Sequence, residues 1–275
     1  MRAIQRITIA VFIIMVASFA VSRYLSHLIS DDTVPVISSD SDVVYVSVTA
    51  SDDELMAGVS VWDDAEGDLT DRLMVEHISH FLSKGECKIT YAVSDSKDHV
   101  SKYERRLIYT DYESPKIYLS ANMQFSAGSN IPILSFIDAY DVLDGDISGK
   151  VKVVSTNHSS TLMGLYTVTV QVSNSKGDVS YLTFPLEVIS SAALVPRINL
   201  SQYTVYINVG DKFDPKAYIR SAYETDRKID MDTNNVVIQS DVDCNTAGTY
   251  IVTYTINDNM NREGVSRLVV VVTES

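Results

Sequence analysis

Cysteine is scarce in this sequence, and that scarcity excludes two kinds of small domain. The 275 residues contain two cysteines, Cys87 and Cys244. Two are too few for a disulfide framework, and no C-x-x-C pair is present to begin a zinc knuckle. Cys87 falls on the inward face of a predicted strand, so we expect it to be a buried core thiol. With 45% hydrophobic residues, the chain has enough apolar side chains for a packed core.

Basic charge is also scarce. Lysines and arginines number 22 against 36 aspartates and glutamates, which leaves a net charge of −14. A nucleic-acid partner requires clustered basic residues, so the sequence predicts no binding of nucleic acid. The sequence also lacks a Ser-His-Asp order, a glycine loop for phosphates and a metalloprotease helix. It therefore predicts a protein that is not an enzyme and has no cofactor, with calcium as the one candidate considered below.

One apolar run lies at the N-terminus. Arg2 and Arg6 precede the uncharged run Ile7–Ser22, which as a helix spans roughly 24 Å of the bilayer's apolar core of about 30 Å. The run is either a retained signal anchor or a signal peptide cleaved after Ala20, and its length favours the anchor. Because the positive flank stays inside, we expect a single-pass protein of the cell membrane with its C-terminal bulk extracellular. Cleavage would make it a secreted protein.

After this apolar run, a sequence unit of about 80 residues is repeated three times. Each unit opens with a proline at the start of an apolar strand, at Pro35, Pro115 and Pro196, where the missing N–H breaks no ladder. Near its end comes a glycine followed by alternating residues, as in GLYTVTVQV, Gly164–Val172. Alternation of period two over this length predicts a strand with one buried face. The equivalent strands begin at Gly85 and Gly248.

Units of this length, with short strands and polar turns, predict small antiparallel sandwiches. The predicted fold class is all-β, with three tandem β-sandwiches after one N-terminal membrane helix. The predicted domains are 1–30 for a cytoplasmic stub and signal anchor or signal peptide, and 31–111, 112–191 and 192–275 for the three sandwiches.

The second unit combines a proline-x-isoleucine start, an acidic glycine turn and a glycine-x-tyrosine strand, at Pro115, Ile117, Asp144–Ser148, Gly164 and Tyr166. This combination resembles the bacterial immunoglobulin-like domain, first noted in a pesticidal crystal toxin and common as tandem repeats in surface proteins of Gram-positive bacteria. The first and third units retain parts of the pattern, and in the third Asp226–Ile229 replaces the acidic turn. The resemblance extends over about residues 34–274 and implies immunoglobulin-like sandwiches. That fold hosts many functions, so it names no ligand.

The stretch DVLDGDIS, Asp141–Ser148, places three carboxylates around Gly145. An EF-hand is excluded because Leu143 stands at its third ligand position. Three interpretations stay open: a turn with a positive φ at Gly145 and aspartates that cap backbone N–H groups, a calcium site, or a catalytic carboxylate pair. The turn is favoured, because a turn that exposes its acids offers no cleft. The calcium hypothesis involves aspartates of the first and second units, namely Asp63, Asp68, Asp141, Asp144 and Asp146.

Trp62, the single tryptophan, aligns with Tyr140 beside the acidic turns. An aromatic ring next to carboxylates is typical of a sugar-stacking site, although packing at the edge of a sandwich is the commoner role of such a side chain.

The sequence predicts a membrane-anchored extracellular bacterial surface protein, in which a non-catalytic immunoglobulin-like array acts as a spacer, adhesion or protein-interaction module. Its binding surface would be loops or an exposed sheet edge of the third domain. The alternative is a carbohydrate- or cell-wall-binding module that uses Trp62 and Tyr140. The expected partners are the membrane, through the N-terminal helix, and a protein or glycan ligand on the cell surface.

Overall fold

A computed structural model describes residues 2–28, 33–190, 194–226 and 229–274 of the protein. These residues form a long N-terminal helix followed by strands in six sheets, which combine into repeated sandwich-like units. The predicted all-β fold class with one N-terminal apolar helix is confirmed. The predicted boundaries at 30–31 and 191–192 lie outside the described residues, and the exact domain limits stay predictions.

The helix α1 spans Arg2–Leu28. From Ile7 to Tyr24 its side chains are exposed, although most of them are apolar. This segment has the length and composition to cross a membrane, features that a signal sequence shares. An apolar surface of this extent is unfavourable in water, so the helix requires a lipid or protein covering.

The chain divides into two compact units. The first comprises the described residues within 1–46, 50–79 and 87–108, and the second those within 47–49, 80–86 and 109–275. The first sandwich lies mostly in the first unit, whereas the second and third sandwiches lie together in the second unit.

The first sandwich is built from two sheets and a one-turn helix. Its elements are β1 (Val36–Ser39), β2 (Val43–Val46), α2 (Asp52–Leu55), β3 (Val59–Asp63), β4 (Gly67–Asp68), β5 (Met74–Ile78), β6 (Glu86–Ser94) and β7 (Val100–Tyr109). One sheet has the strand order β1-β3-β4 and the other β2-β7-β6-β5. Cys87 is fully buried in β6 and carries a free thiol, which confirms its predicted core position.

The second sandwich repeats this plan. Its strands are β8 (Lys116–Leu119), β9 (Gln124–Ser126), β10 (Ile137–Asp141), β11 (Gly145–Asp146), β12 (Lys152–Thr156), β13 (Gly164–Ser173) and β14 (Val179–Ile189). They form sheets of order β11-β10-β8 and β12-β13-β14-β9, in which β9 runs parallel to β14. Val168, Val170 and Val172 are fully buried, as the alternation of β13 predicts.

The third sandwich has the same two-sheet plan. Its strands are β15 (Arg197–Leu200), β16 (Thr204–Asn208), β17 (Ile219–Tyr223), β18 (Asp230–Met231), β19 (Val237–Ser240), β20 (Gly248–Asn257) and β21 (Glu263–Thr273). The sheets have the orders β15-β17-β18 and β16-β21-β20-β19, with β16 parallel to β21. Val252, Tyr254 and Ile256 fill the core from β20.

In the second and third sandwiches the tyrosine of the glycine-x-tyrosine motif bonds the loop that precedes β13 or β20. The Tyr166 hydroxyl donates to the carbonyl oxygen of Leu162 at 2.8 Å, and any side chain at Gly164 would contact the Tyr166 ring. The Tyr250 hydroxyl donates to the carbonyl oxygen of Thr246 at 2.9 Å in the same way. The motif therefore fixes the loop that enters the strand.

The second and third sandwiches share a bonded junction. The backbone N–H of Leu119, in β8, donates to the Thr204 hydroxyl at 3.0 Å. Arg267 forms an ion pair of 2.7 Å with Glu187, and Val269 of β21 belongs to the buried core of the second sandwich. Apolar packing and polar bonds together hold these two sandwiches as one compact unit.

Candidate functional site

The acidic stretch of the second sandwich is a β-hairpin turn, named here the acidic hairpin (residues 141–148). Strands β10 and β11 pair through Tyr140 with Asp146 and Asp141 with Gly145. Gly145 has φ +71°, a left-handed conformation that glycine adopts without the penalty of a Cβ. The predicted positive φ at Gly145 is therefore confirmed.

Asp141 is buried, contrary to the expectation that the turn exposes its acids. Its side chain is 1% exposed, and its Oδ1 accepts the backbone N–H groups of Leu143 and Asp144, each at 3.0 Å. Its Oδ2 accepts the side-chain amide of Asn174 at 3.1 Å. Such bonds offset the cost of burying a carboxylate, so Asp141 caps the turn from inside the sandwich.

Asp144 joins the acidic hairpin to the turn after β13. Its oxygens accept the Ser175 backbone N–H at 2.7 Å and the Ser175 hydroxyl at 2.6 Å, and Lys150 Nζ lies 2.9 Å away. Burial raises the pKa of Asp144, but the Lys150 ammonium and the two Ser175 donors outweigh burial and hold the pKa below its usual value. The carboxylate is therefore kept ionised, and its bonds to Ser175 hold the two turns together, a role named here the clasp.

Asp146 caps the last residue of the acidic hairpin. Its Oδ1 accepts the Ser148 hydroxyl at 2.6 Å and the Ser148 backbone N–H at 2.9 Å. Both donors lower the pKa of Asp146. The Ser148 hydroxyl oxygen in turn accepts the backbone N–H of Ala139 at 2.9 Å, so this carboxylate also serves the local backbone.

The first sandwich has the same arrangement at residues 63–70. Asp63 is 1% exposed, and its Oδ1 accepts the backbone N–H groups of Ala65 at 2.8 Å and Glu66 at 3.0 Å. Burial raises the pKa of Asp63, but these N–H donors and the Thr33 hydroxyl lower it more. Asp68 accepts the backbone N–H of Thr70 at 2.9 Å, and Thr70 lowers the pKa of Asp68.

Glu66 takes the clasp role that Asp144 has in the second sandwich. It accepts the Ser96 backbone N–H at 2.8 Å and also the Ser96 hydroxyl, and Arg72 lies 3.0 Å from its other oxygen. The Ser96 donors are the main reason that the pKa of Glu66 is lowered. Asp63, Glu66 and Asp68 thus occupy the places that Asp141, Asp144 and Asp146 have in the second sandwich.

A second turn, named here the closing turn, contains a buried cap in each sandwich. In the second sandwich Asn174 Oδ1 accepts the N–H groups of residues 176 and 178, at 3.0 and 2.9 Å. In the first, Asp95 accepts those of residues 97 and 99, both at 2.8 Å. In the third, Asp258 accepts those of residues 260 and 262, at 2.8 and 2.9 Å. Sequence alignment of the units marks these positions, but not their burial.

Tyr112 is a member of this cluster that the sequence did not indicate. Asn174 Nδ2 donates to its hydroxyl oxygen at 2.8 Å, and the Tyr112 hydroxyl donates to Asp178 at 2.7 Å. Burial and the Asp178 carboxylate raise the pKa of Tyr112 well above its ordinary value. A chain of hydrogen bonds thus runs from Asp141 through Asn174 and Tyr112 to Asp178.

The third sandwich replaces this arrangement with an ion-pair cluster. Arg262 donates from Nε to Asp258 at 2.5 Å and from Nη2 to Asp226 at 3.1 Å. The hairpin between β17 and β18 still forms, with Tyr223 opposite Asp230. Residues 227 and 228, which stand where the acidic glycine turn is lost, lie outside the described residues.

These contacts show what the carboxylates do. Their oxygens accept N–H, hydroxyl and ammonium donors of the chain itself, which a cation would have to displace. Within the described part of the chain, no group of three or more His, Cys, Asp and Glu side chains is arranged to hold a metal ion. The cap interpretation of the aspartates is confirmed by these bonds, and calcium binding stays an untested hypothesis.

Trp62 and Tyr140 lie on the outer faces of their sheets. The Trp62 side chain is 60% exposed. In the sheet, Trp62 lies between Asp68 of β4 on one side and Val36 of β1 on the other. Tyr140 is 56% exposed and pairs with Asp146. Neither ring is packed into the interior, so both offer a face to solvent beside a carboxylate.

One part of the third sandwich matches a known family of bacterial surface domains. Residues 200–271 match the family model described as bacterial surface protein, Ig-like domain. The resemblance inferred from the second unit is thereby confirmed by a match in the third.

Curated relatives extend this similarity. Pesticidal crystal protein Cry22Aa of Bacillus thuringiensis is 24% identical over 217 residues, which cover 76% of this chain and 29% of the relative. An uncharacterized 81.3 kDa protein of Acholeplasma phage L2 is 28% identical over 142 residues, or 50% of this chain and 18% of that protein. The chain therefore spans less than a third of the length of either relative.

Among solved structures, the M60 catalytic domain with two CBM51 domains of Clostridium perfringens ZmpB is similar over 88% of this chain and 31% of that one. The identity is 13% and the TM-score 0.25. A similarity of this size carries no argument about function.

Proposed function

We propose that the protein is a membrane-anchored, non-catalytic array of immunoglobulin-like domains that is displayed on the outside of a bacterial cell as a spacer and interaction module. The anchor would be residues 1–30, and the domains 31–111, 112–191 and 192–275. The observation that carries the proposal is the order of the structural elements along the chain. An exposed apolar helix, α1, comes first, and three β-sandwiches follow it. The family match at residues 200–271 favours a surface location.

The interaction surface that we favour is the edge strand β19 of the third sandwich. Within the described residues β19 pairs on one side only, with β20, in an uninterrupted register. Its four residues, Val-Ile-Gln-Ser, carry no charge, and Val237 is 65% exposed. Proteins usually protect such edges with charges or bulges, so an open edge favours addition of a partner strand.

The equivalent edge strands of the other two sandwiches, β5 and β12, carry that protection. β5 contains Glu76 and a register shift between Val75 and His77. β12 begins with Lys152 and has a shift between Val153 and Ser155. The contrast singles out β19 among these three equivalent strands, and its sandwich is also the one farthest along the chain from the helix.

Protease treatment of intact cells that express the full chain tests the display. We expect external protease to remove the sandwiches, and the untreated protein to sediment with membranes. Recovery of the protein from the medium with Val21 as its first residue would show cleavage after Ala20 and overturn the anchor. Resistance in intact cells, with digestion after lysis, would overturn the outward orientation.

A carbohydrate-binding module is the second candidate, because Trp62 and Tyr140 each expose a ring beside a carboxylate. Retention on immobilised bacterial wall polysaccharide tests it. Loss of retention in Trp62→Ala or Tyr140→Ala, with retention kept in Tyr45→Ala, favours this candidate. Tyr45 is the matched control because it is 66% exposed. Equal retention of all variants excludes these two residues as the site.

A further inference from the structure

A cleft of about 700 Å³ lies at the junction of the second and third sandwiches, inside the second compact unit. Named here the junction cleft, it is bounded by the end of β8, the loop between β15 and β16, and β17. Its lining includes Tyr118, Gln202, Tyr203, Arg220 and Ser221. The remaining lining residues are mostly serine, asparagine and threonine, so the cleft is polar with two aromatic rings.

Arg220 reaches this cleft through an irregularity that the third sandwich alone has in this sheet. In the pairing of β15 with β17, Asn199 lies opposite Ser221 and Leu200 opposite Ile219, so Arg220 is left without a partner in the ladder. The equivalent pairings in the first and second sandwiches are continuous. An extra residue of this kind re-aims a side chain, and such bulges are common beside binding sites.

Two polar side chains that line the junction cleft, Arg220 and Gln202, are free to bind. Arg220 is exposed, and neither its guanidinium nor the Gln202 amide forms a hydrogen bond with the described residues. Tyr118 is half-buried and meets the Tyr206 ring edge to face, with centroids 5.4 Å apart, so its ring is held in place. Arg220 thus supplies the N–H donors of a guanidinium, Gln202 supplies an amide, and Tyr118 supplies an aromatic surface.

The charge of the cleft is opposite to that of the protein. Arg220 is the one charged residue among those that line it, whereas the chain as a whole carries −14. A guanidinium in a concave site binds a carboxylate with two parallel hydrogen bonds. Serine hydroxyls, amides and tyrosine rings suit the hydroxyl groups and the apolar face of a sugar ring.

The walls of the cleft are joined to each other by polar contacts. Two hydroxyls of the third sandwich, from Thr204 and Tyr206, bond the backbone of β8 next to Tyr118. The ion pair between Arg267 and Glu187 adds a further tie across the same junction. A cleft formed before the ligand arrives saves the entropy of ordering it.

We propose that the junction cleft binds an acidic saccharide, a sugar unit with one carboxylate, in which Arg220 holds the carboxylate and Tyr118 lies against the ring. The site does not depend on the display role: a displayed protein without saccharide binding keeps the first proposal and loses this one. It is also distinct from Trp62 and Tyr140, which are not among the residues that line the cleft. Tyr140 shares a sheet with Tyr118 but lies opposite Lys116.

Calorimetric titration of the full chain tests the site, in a polyoxyethylene detergent whose head group contains no sugar. The probes are a hexuronate trisaccharide and the same trisaccharide with its carboxyl groups reduced to alcohols. We expect the acidic sugar to bind at least tenfold more tightly than the reduced sugar. Arg220→Gln is expected to remove that tenfold difference, and Gln202→Ala to weaken both sugars.

Arg197→Gln is the matched control, because Arg197 is an exposed arginine of the neighbouring strand β15 that does not line the cleft. It is expected to bind like the wild type. Equal affinity for the two sugars, no binding at millimolar sugar, or full binding by Arg220→Gln would each overturn the proposal. Binding lost in Trp62→Ala but kept in Arg220→Gln would move the site to the first sandwich.

Discussion

Tyr206 of the third sandwich and Ile117 of the second exchange two hydrogen bonds. The Ile117 backbone N–H donates to the Tyr206 hydroxyl oxygen at 2.8 Å, and the Tyr206 hydroxyl donates to the Ile117 carbonyl oxygen at 3.1 Å. Burial raises the pKa of Tyr206 to about 12, so the hydroxyl stays protonated and able to donate. One side chain thus satisfies the N–H and the carbonyl of Ile117 on the unpaired side of β8, the edge strand of its sheet.

Tyr206→Phe is expected to lower the free energy of unfolding by about 1–2 kcal/mol, because the substitution leaves a partly buried N–H and carbonyl without partners. Chemical denaturation of the full chain measures the change. Tyr181→Phe is the control, since Tyr181 is 60% exposed and its loss of a hydroxyl should change little. Equal stability of the two variants would show that water replaces Tyr206 without cost.

Asp141→Ala is expected to destabilise the protein by about 3 kcal/mol, because three donors lose a charged acceptor in a buried place. Those donors are the N–H groups of Leu143 and Asp144 and the Asn174 amide. Asp138→Ala, in the exposed position of the same strand, is the matched control and should be neutral. If both variants melt at the same temperature, Asp141 is not the cap that its contacts indicate.

Stability should fall as the solution becomes acidic. The pKa of Asp144 is lowered in the folded protein, so its contribution is complete above the ordinary unfolded value of about 4. The contribution is lost as the pH falls through the lower folded pKa, because the unfolded state then binds more protons. We expect the melting temperature to drop between about pH 5 and pH 3. In Asp144→Asn the melting temperature should fall less over this pH range. An equal fall in the variant and the wild type would contradict the role of Asp144 in joining the two turns.

Calcium is expected to leave the melting temperature unchanged. The carboxylates of the acidic hairpin already accept donors from Ser148, Ser175 and Lys150. Calcium at about 5 mM exceeds the dissociation constants of weak extracellular sites, and binding to the folded state alone would have to raise the melting temperature. A rise that disappears in Asp144→Asn would establish a calcium site there.

The sequence predicted strands and turns well where a local pattern determines them. The alternation of Gly164–Val172 became β13, whose valines are fully buried, and Gly145 adopted the expected positive φ. It did not predict that Asp141 is buried or that Asp144 reaches Ser175, 31 residues away. Alternation reports which face of one strand is covered, but two turns meet only once the strands have paired.

The third sandwich shows a second limit of local patterns. The sequence around Arg220 gives no sign of the bulge, because one extra residue in a pairing leaves no mark on the sequence of a single strand. The bulge depends on the register of β15 against β17, a relation between segments some twenty residues apart. The junction cleft was therefore visible only in the structure.

If the proposed anchor holds the protein at one end, the parallel pairs of β9 with β14 and of β16 with β21 determine how the sandwiches resist a pulling force. Strands that run side by side in the same direction, near the two ends of a domain, are drawn past each other when the chain is stretched. Their hydrogen bonds are then loaded together in shear, whereas those of a hairpin open one after another. β16 and β21 are paired over five residues, and β9 and β14 over three. Under tension the third sandwich should therefore unfold at a higher force than the second.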